Sequence, residues 1–348
     1  MGQEAPGVVE EIVGFEVQPG FANGPMRFIA AILLTACPAS AQFKSTATLV
    51  LAPTAVVDAK GQYVDGLGAK DLVLYDNNVP QPIQVDEAIY PISLVVAVQT
   101  SRNAQAVLDK LGGSGILFSE LLAGEAGETA IISFSDQVNP LQEFTTDPDV
   151  LEKTMRRLRV EGVGAVTLDA VMEALNLLEQ RKPERRRVIL LIAEKRDRSS
   201  KRKFSGVLRE VQRRNVLIYW LTYSPTLTAY TARPKTVKSQ DPSKDGEPIP
   251  YDPGPPNLLN IIPELAHQSK PDAAQELSKA TGGRTAGFLR KDALEEAIQA
   301  VAAEIHRQYI LSFQPRPSAP GQFHSIRVAV RGRPELQART RAGYWPLP

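Results

Sequence analysis

Ser93-Leu-Val-Val-Ala-Val-Gln-Thr-Ser-Arg-Asn103 is the stretch that decides the fold. Ser93 to Val98 is an unbroken, mostly aliphatic and β-branched run. Such a run suits a strand covered on both faces, at the centre of a parallel sheet. It stops abruptly in the small and polar residues Gln99 to Asn103. In open α/β sheets the loops at the carboxyl ends of the central strands form the ligand crevice. Gln99 to Asn103 is therefore the expected working edge.

Outward from this strand the chain alternates strands and helices, the pattern of a parallel sheet with helices on its faces. A helix is expected over Ala104 to Leu122, weakened by Gly112-Gly113-Ser114-Gly115. Glu128 to Phe134 reads as the second strand, Gln142 to Phe144 as a short edge strand, and Asp149 as the cap of a helix reaching about Leu158. Leu168, Val171, Met172, Leu175 and Leu178 recur at helical spacing and form a core stripe. Val188 to Ile192 and Asn215 to Trp220 are further strands, with a helix over Phe204 to Arg214 between them. Thr222 to Asn260 is rich in Pro, Ser, Lys, Asp and Gly and reads as an irregular surface excursion. Asp272 to Ala280 is a helix stopped by Gly282-Gly283. Arg284 to Phe288 is the sixth strand, and Asp292 caps a last helix whose buried face is Leu294, Ile298, Val301 and Ile305.

Both flanks are β-like. Thr46 to Val57, Tyr63-Val64, Leu72 to Tyr75 and Pro80 to Val85 are short runs separated by the turn signals Asp58 to Gly61 and Asp76-Asn77-Asn78. Gln308 to Gln314, His324 to Val330 and Gln337 to Tyr344 repeat the pattern at the other end. Neither flank has enough strands to be stable alone. The two are expected to pair into one β-sandwich with the α/β part inserted between them. The resulting division is a leader over 1–41, a first sandwich segment over 42–90, the α/β domain over 91–307 and a second sandwich segment over 308–348.

An apolar strand followed by Asp-x-Ser-x-Ser marks von Willebrand factor A-type domains, and Gln99-x-Ser101-x-Asn103 resembles that motif with only its middle Ser kept. The chain resembles most the exported A-domain-related proteins common in acidobacteria, down to a closing Arg341-Ala-Gly343-Tyr344. The resemblance implies a doubly wound, Rossmann-type α/β sheet and a metal-ion-dependent adhesion site. In the family a Gly-Gly-Thr turn and a Ser-Asp-Gly-x-Asp loop complete that site. Matching Asp169 to the family's helix Asp puts Ala165 where the metal-binding Thr would be, and Glu194 of Ala193-Glu194-Lys195-Arg196-Asp197 takes the place of the Asp. Gln99, Ser101, Asn103, Ala165 and Glu194 are thus the positions of a degenerate site. A hard cation such as Mg²⁺ takes oxygen ligands, usually with carboxylates, and Arg102 and Lys195 beside these positions oppose a second cation. The expectation is no cofactor, with Mg²⁺ the residual alternative, and strand ends closed by local hydrogen bonds.

Composition narrows the rest. A net charge of +1 in 348 residues points to neither nucleic acid nor a membrane surface in bulk, and three His with one Cys argue against zinc or iron–sulfur sites. Met26-Arg27 followed by Phe28 to Ala36 and Ala39-Ser40-Ala41-Gln42 reads as a signal peptide cleaved after Ala41. The competing reading is a lipobox, Leu34-Thr35-Ala36-Cys37, which would anchor the chain to a membrane through lipid on Cys37. Either way the protein is expected to be exported, to the periplasm or beyond.

No nucleophile motif surrounds Ser101, no phosphate loop follows a strand, and Asp58, Asp65, Asp71 and Asp76 sit in turn contexts. No catalytic residue is assigned. A hydrolase using Ser101 with a base brought near in space is the alternative from another class. Residues 194–203 carry six basic and two acidic side chains, a local excess of four positive charges. Arg102, Lys195, Arg196, Arg198, Lys201, Arg202 and Lys203 are therefore expected to form a basic face for an acidic protein partner, with Arg102 or Lys195 pairing Glu194. The expected function is a non-enzymatic protein–protein interaction module.

Overall fold

The computed structural model describes residues 49–86, 90–124, 126–223, 272–288, 291–316 and 321–346. The leader with Met26, Cys37 and Ala41, His267, and all of the excursion beyond Tyr223 lie outside the described residues.

The opening stretch forms β5 (Ile92–Gln99), and all eight of its residues are buried. It lies at the centre of a six-stranded sheet. On one side it runs parallel to β6 (Glu128–Phe134), and on the other to β8 (Arg186–Ala193). The parallel run continues through β9 (Val216–Thr222) to β10 (Thr285–Gly287). β7 (Val138–Thr145) closes the opposite edge antiparallel to β6.

Alternate residues of β5 feed two cores, because successive side chains of a strand point to opposite faces. Leu94, Val96 and Val98 pack with α1 (Gln105–Leu111), α2 (Pro148–Arg156) and α6 (Lys291–His306). Val95 and Ala97 pack with α3 (Thr167–Glu179), α4 (Phe204–Arg213) and α5 (Ala273–Thr281). This two-sided cover explains the aliphatic run, since each such side chain removed from water contributes about 1.5–3 kcal/mol. The architecture is therefore mixed α/β around a mostly parallel sheet.

Several local expectations need correction. The first helix is broken. A 3-10 turn at Arg102–Ala104 leads into α1, which ends at Leu111 beside Gly112, and a separate wide helical segment spans Leu117–Ala123. The edge strand is longer than three residues, because pairing with β6 extends it to Thr145. Asp147, not Asp149, caps α2: its Oδ1 accepts from the backbone N–H of Asp149 and Val150, and Pro148 takes the first helical position where no N–H is needed. Asp292 falls inside α6 rather than before it. Asp272 caps α5 as expected, and Gly282 ends it at φ +84°, a left-handed conformation that suits glycine.

The flanks form two four-stranded antiparallel sheets, each mixing early and late strands. One runs β13 (Gln337–Arg339), β1 (Val50–Val57), β11 (Tyr309–Phe313), β4 (Gln84–Asp86). The other runs β14 (Gly343–Tyr344), β12 (His324–Val330), β2 (Leu72–Asp76), β3 (Val79–Gln81). The expected strand from Gln337 to Tyr344 is thus two short strands, one in each sheet. Val56, Leu74, Phe313, Val328 and Tyr344 belong to one core shared by both sheets. Asn77 and Asn78 turn β2 into β3 with φ of 47° and 65°, the left-handed pair that a tight hairpin asks for.

A buried carboxylate ties the flanks to the α/β part. Glu304 of α6 is fully buried and accepts hydrogen bonds from the hydroxyls of Tyr63 and Tyr219, each at 2.9 Å. Arg339 of β13 ion-pairs with it, and Arg284 lies 3.4 Å away. Burial first, and then the Glu304 charge, push the Tyr63 hydroxyl up to about 12.

Candidate functional site

The loops after β5, β8 and β9 converge at the carboxyl end of the sheet, as the parallel topology requires. Gln99 and Ser101 are almost completely buried there, Glu194 is 4% exposed, and Arg102 and Asn103 are exposed. Gln99 organises the group. Its Oε1 accepts from the Glu194 backbone N–H at 2.9 Å, which fixes which end of the amide is nitrogen. Its Nε2 then donates to the Ser101 hydroxyl at 2.7 Å and to Glu194 Oε1 at 3.2 Å. Asn103 Nδ2 donates to the same carboxylate oxygen at 3.4 Å.

The other Glu194 oxygen forms an ion pair with Arg198. The expected partners were Arg102 or Lys195; the pairing goes instead to the arginine four residues on, because the loop after β8 curls back over its own start. Amide N–H groups and a guanidinium therefore point at the carboxylate. A hard cation needs converging oxygen lone pairs, and this donor set does not present them. Ala165, at the position matched to the metal-binding Thr, is fully buried, and its backbone N–H donates to Ser199 Oγ while its carbonyl accepts from Arg198 N–H.

Residues 194–203 form a loop that ends at Lys203, the residue before α4. The loop is clamped to the N-terminus of α3. Asp197 Oδ1 accepts from Leu168 N–H at 3.1 Å, and Ser200 Oγ from Asp169 N–H at 3.1 Å. In return the Asp169 carboxylate accepts from the backbone N–H of Lys201 at 2.9 Å and Arg202 at 3.3 Å. Val166 supplies no side-chain cap to α3, so these loop groups satisfy the orphan N–H groups of its first turn. The result is a fixed basic loop with Lys195, Lys201, Arg202 and Lys203 exposed, Arg196 partly buried and Arg198 turned to Glu194. Arg202 also lies 3.9 Å from Asp169.

A second clamp was not legible in the sequence. Asp136, after β6, accepts from Val163 N–H at 3.3 Å and Gly164 N–H at 2.8 Å. A Cβ on Gly162, whose φ is +69°, would lie 2.1 Å from that carboxylate. The Gly162-Val163-Gly164 loop is thereby held with the Val163 side chain 68% exposed beside the basic loop. Tyr223 was missed as well. Burial first, and the Glu194 charge second, push its hydroxyl well above the usual tyrosine range.

The described histidines stand apart from this edge. His306 ends α6, and His324 of β12 pairs with Asp76 at 2.8 Å within the antiparallel sheets. Asp58 accepts from turn N–H groups of Lys60 and Gln62, as its turn context implies.

No family model matches the chain, and no curated protein does. Among solved structures it is similar to an aerotolerance-related membrane protein from Bacteroides fragilis, with 14% identity and a TM-score of 0.40 over 61% of this chain and 98% of the other. The conserved hypothetical protein BatB from Bacteroides thetaiotaomicron gives 14% identity and 0.39 over 61% and 99%. The SpRpn10 VWA domain gives 12% identity and 0.35 over 60% and 94%. The α/β assignment rests on the sheet order and burial, not on these likenesses. No described helix is long and apolar enough to cross a membrane.

Proposed function

We propose that the chain is an exported von Willebrand factor A-like interaction module, held between the two halves of a β-sandwich. In this reading an internal ion pair stands where the family holds a metal ion, and a basic edge receives an acidic protein partner. The observation that carries it is the closed hydrogen-bond set of Gln99, Asn103, Glu194 and Arg198 at the strand ends. That set occupies the carboxylate with N–H donors, so divalent-cation chemistry has no ligand sphere to use. Lys195, Lys201, Arg202 and Lys203 face solvent on a loop clamped by Asp169 and Asp197, and Arg102 is exposed on the neighbouring turn after β5. Clustered charge of one sign raises encounter rates with an opposite partner and makes them depend on salt.

A non-enzymatic role is part of the proposal. The Ser101 hydroxyl receives its hydrogen bond from an amide N–H, and an amide cannot take up a proton as a general base does.

The test is capture from envelope extracts with the chain as bait, followed by affinity across a salt series. A triple variant, Lys201→Glu, Arg202→Glu and Lys203→Glu, is expected to lose most of the binding and the steepness of the salt dependence. Unchanged affinity and slope would reduce the basic edge to solvated surface.

A further inference from the structure

At the opposite end of the parallel sheet lies a half-open cavity of about 880 Å³. It forms where the amino end of β8 and the last turn of α6 meet β4 and β11. Cavities that hold small organic ligands run from about 300 to 1,000 Å³. The walls are mostly apolar, with Leu67, Val85, Ile92, Ala123 and Ile310 among them.

Arg186, the first residue of β8, lines this space and is partly buried. Its Nη1 donates to the Ile305 carbonyl at 2.8 Å, and its Nη2 to Gln308 Oε1 at 2.5 Å. Both acceptors are neutral. Its Nε is buried with no hydrogen-bond partner. A guanidinium carries five N–H donors, so its hydrogen-bonding capacity is not exhausted. Arg181 and Arg185, near this end of the sheet, share Glu128. No carboxylate ion-pairs with Arg186 among the described residues. Burial accordingly pulls its pKa below the usual arginine range. A partly buried cation with no described anion beside it favours an anionic ligand.

We propose that this cavity binds an organic monocarboxylate with an apolar body, its carboxylate taken by Arg186 and its body lying against Leu67, Val85, Ala123 and Ile310. The guanidinium fork matches a carboxylate, and the aliphatic walls match a hydrocarbon chain or ring. Asp86 also lines the cavity, with the Tyr90 hydroxyl donating to it. Its negative charge opposes every anion in the cavity and dianions such as phosphates most, since one guanidinium would not neutralise them. The inference is independent of the function proposed for the opposite edge.

The experiment titrates the full chain with sodium octanoate and with octanamide, its uncharged isostere, by calorimetry and thermal unfolding. Octanoate is expected to bind saturably at one site and to raise Tm, with octanamide at least tenfold weaker. Arg186→Met is expected to abolish the preference for octanoate. Val85→Trp, which takes up part of the cavity and leaves Arg186 in place, is expected to weaken binding of both probes at least tenfold, and it decides the matter if Arg186→Met does not fold. Absence of octanoate binding, equal binding of the two probes, or octanoate binding undiminished in Val85→Trp overturns the proposal.

Discussion

Converting Glu304 to Gln keeps the shape of the buried node and removes its charge. The carboxylate is fully buried and collects Tyr63, Tyr219, Arg339 and Arg284. Breaking one side of a buried ion pair costs about 3–5 kcal/mol when the partner stays desolvated. Here the Arg284 and Arg339 side chains are 31% and 40% exposed, so they regain some hydration. The amide also puts two donors where two acceptors stood, and one of them meets a hydroxyl or guanidinium donor. The expected loss is therefore about 2–3 kcal/mol, below the fully buried figure. At about 2–4 °C per kcal/mol for a chain of this size, Tm falls by about 5–10 °C. Urea or thermal denaturation measures it, and a cycle with Arg339→Met isolates the pairing, with a coupling of about 1 kcal/mol or more expected between contacting groups. A loss under about 0.5 kcal/mol, or strict additivity with Arg339→Met, would refute the claim that Glu304 joins the flanks to the α/β part.

Millimolar Mg²⁺, Mn²⁺ or Ca²⁺ is expected to leave Tm unchanged, because a ligand raises stability only by binding the native state; a rise of several degrees that Glu194→Ala abolishes contradicts the ion-paired reading of the strand ends. The Tyr63 pKa is raised from 10.0 to about 12 by burial and by Glu304, so its stabilisation is complete below pH 10 and is lost as pH climbs towards 12. Tyr63→Phe is expected to make alkaline destabilisation shallower in urea midpoints taken between pH 9 and 12, and an unchanged slope would count against the contact. A Cβ on Gly283 would lie 2.1 Å from the Ile218 carbonyl, whereas one on Gly206 meets nothing within 4 Å. Gly283→Ala should cost about 2–3 kcal/mol and Gly206→Ala, in α4, should gain about 0.5–1 kcal/mol; equal effects in denaturant melts would contradict the packing described.

The parallel sheet was legible because its demand on sequence is severe. A strand covered on both faces admits few polar residues, so Ser93 to Val98 and Glu128 to Phe134 declare themselves. Cap positions were less legible. Asp147 and Asp149 are both good capping residues, and Pro148, which favours the first helical position, was the signal that separates them. The Gln337 to Tyr344 stretch reads as one strand because nothing local marks where it leaves one sheet for the other. At the sheet edge, that Gln99, Ser101, Asn103 and Glu194 lie together was legible, and the pairing of Glu194 was not. Arg198 reaches Glu194 through a loop with no periodicity, and its course is set by hydrogen bonds to α3 that lie far away in sequence. Glu304 shows the same limit more sharply, since its partner Tyr63 sits at the other end of the chain. The cavity at Arg186 was invisible for a different reason: it is bounded by segments that meet only after folding.

The pairing of β4 with β11 has a consequence for the order of assembly. Asp86 faces Ile310 across that ladder, with the whole α/β part between them in the chain. Closing so long a loop from an unstructured chain costs about 5 kcal/mol in entropy by the (3/2)RT ln n scaling. Once β5 and α6 have docked, their outer ends already lie side by side and most of that cost is gone. The middle of the chain is therefore expected to form first, and the two antiparallel sheets to be completed last, when Gln337 to Arg339 reach Ala55 to Val57. Until then β1 is an apolar strand with open edges, the kind that pairs with other chains. Refolding yield, more than native stability, is the property that crowding and heat will erode first.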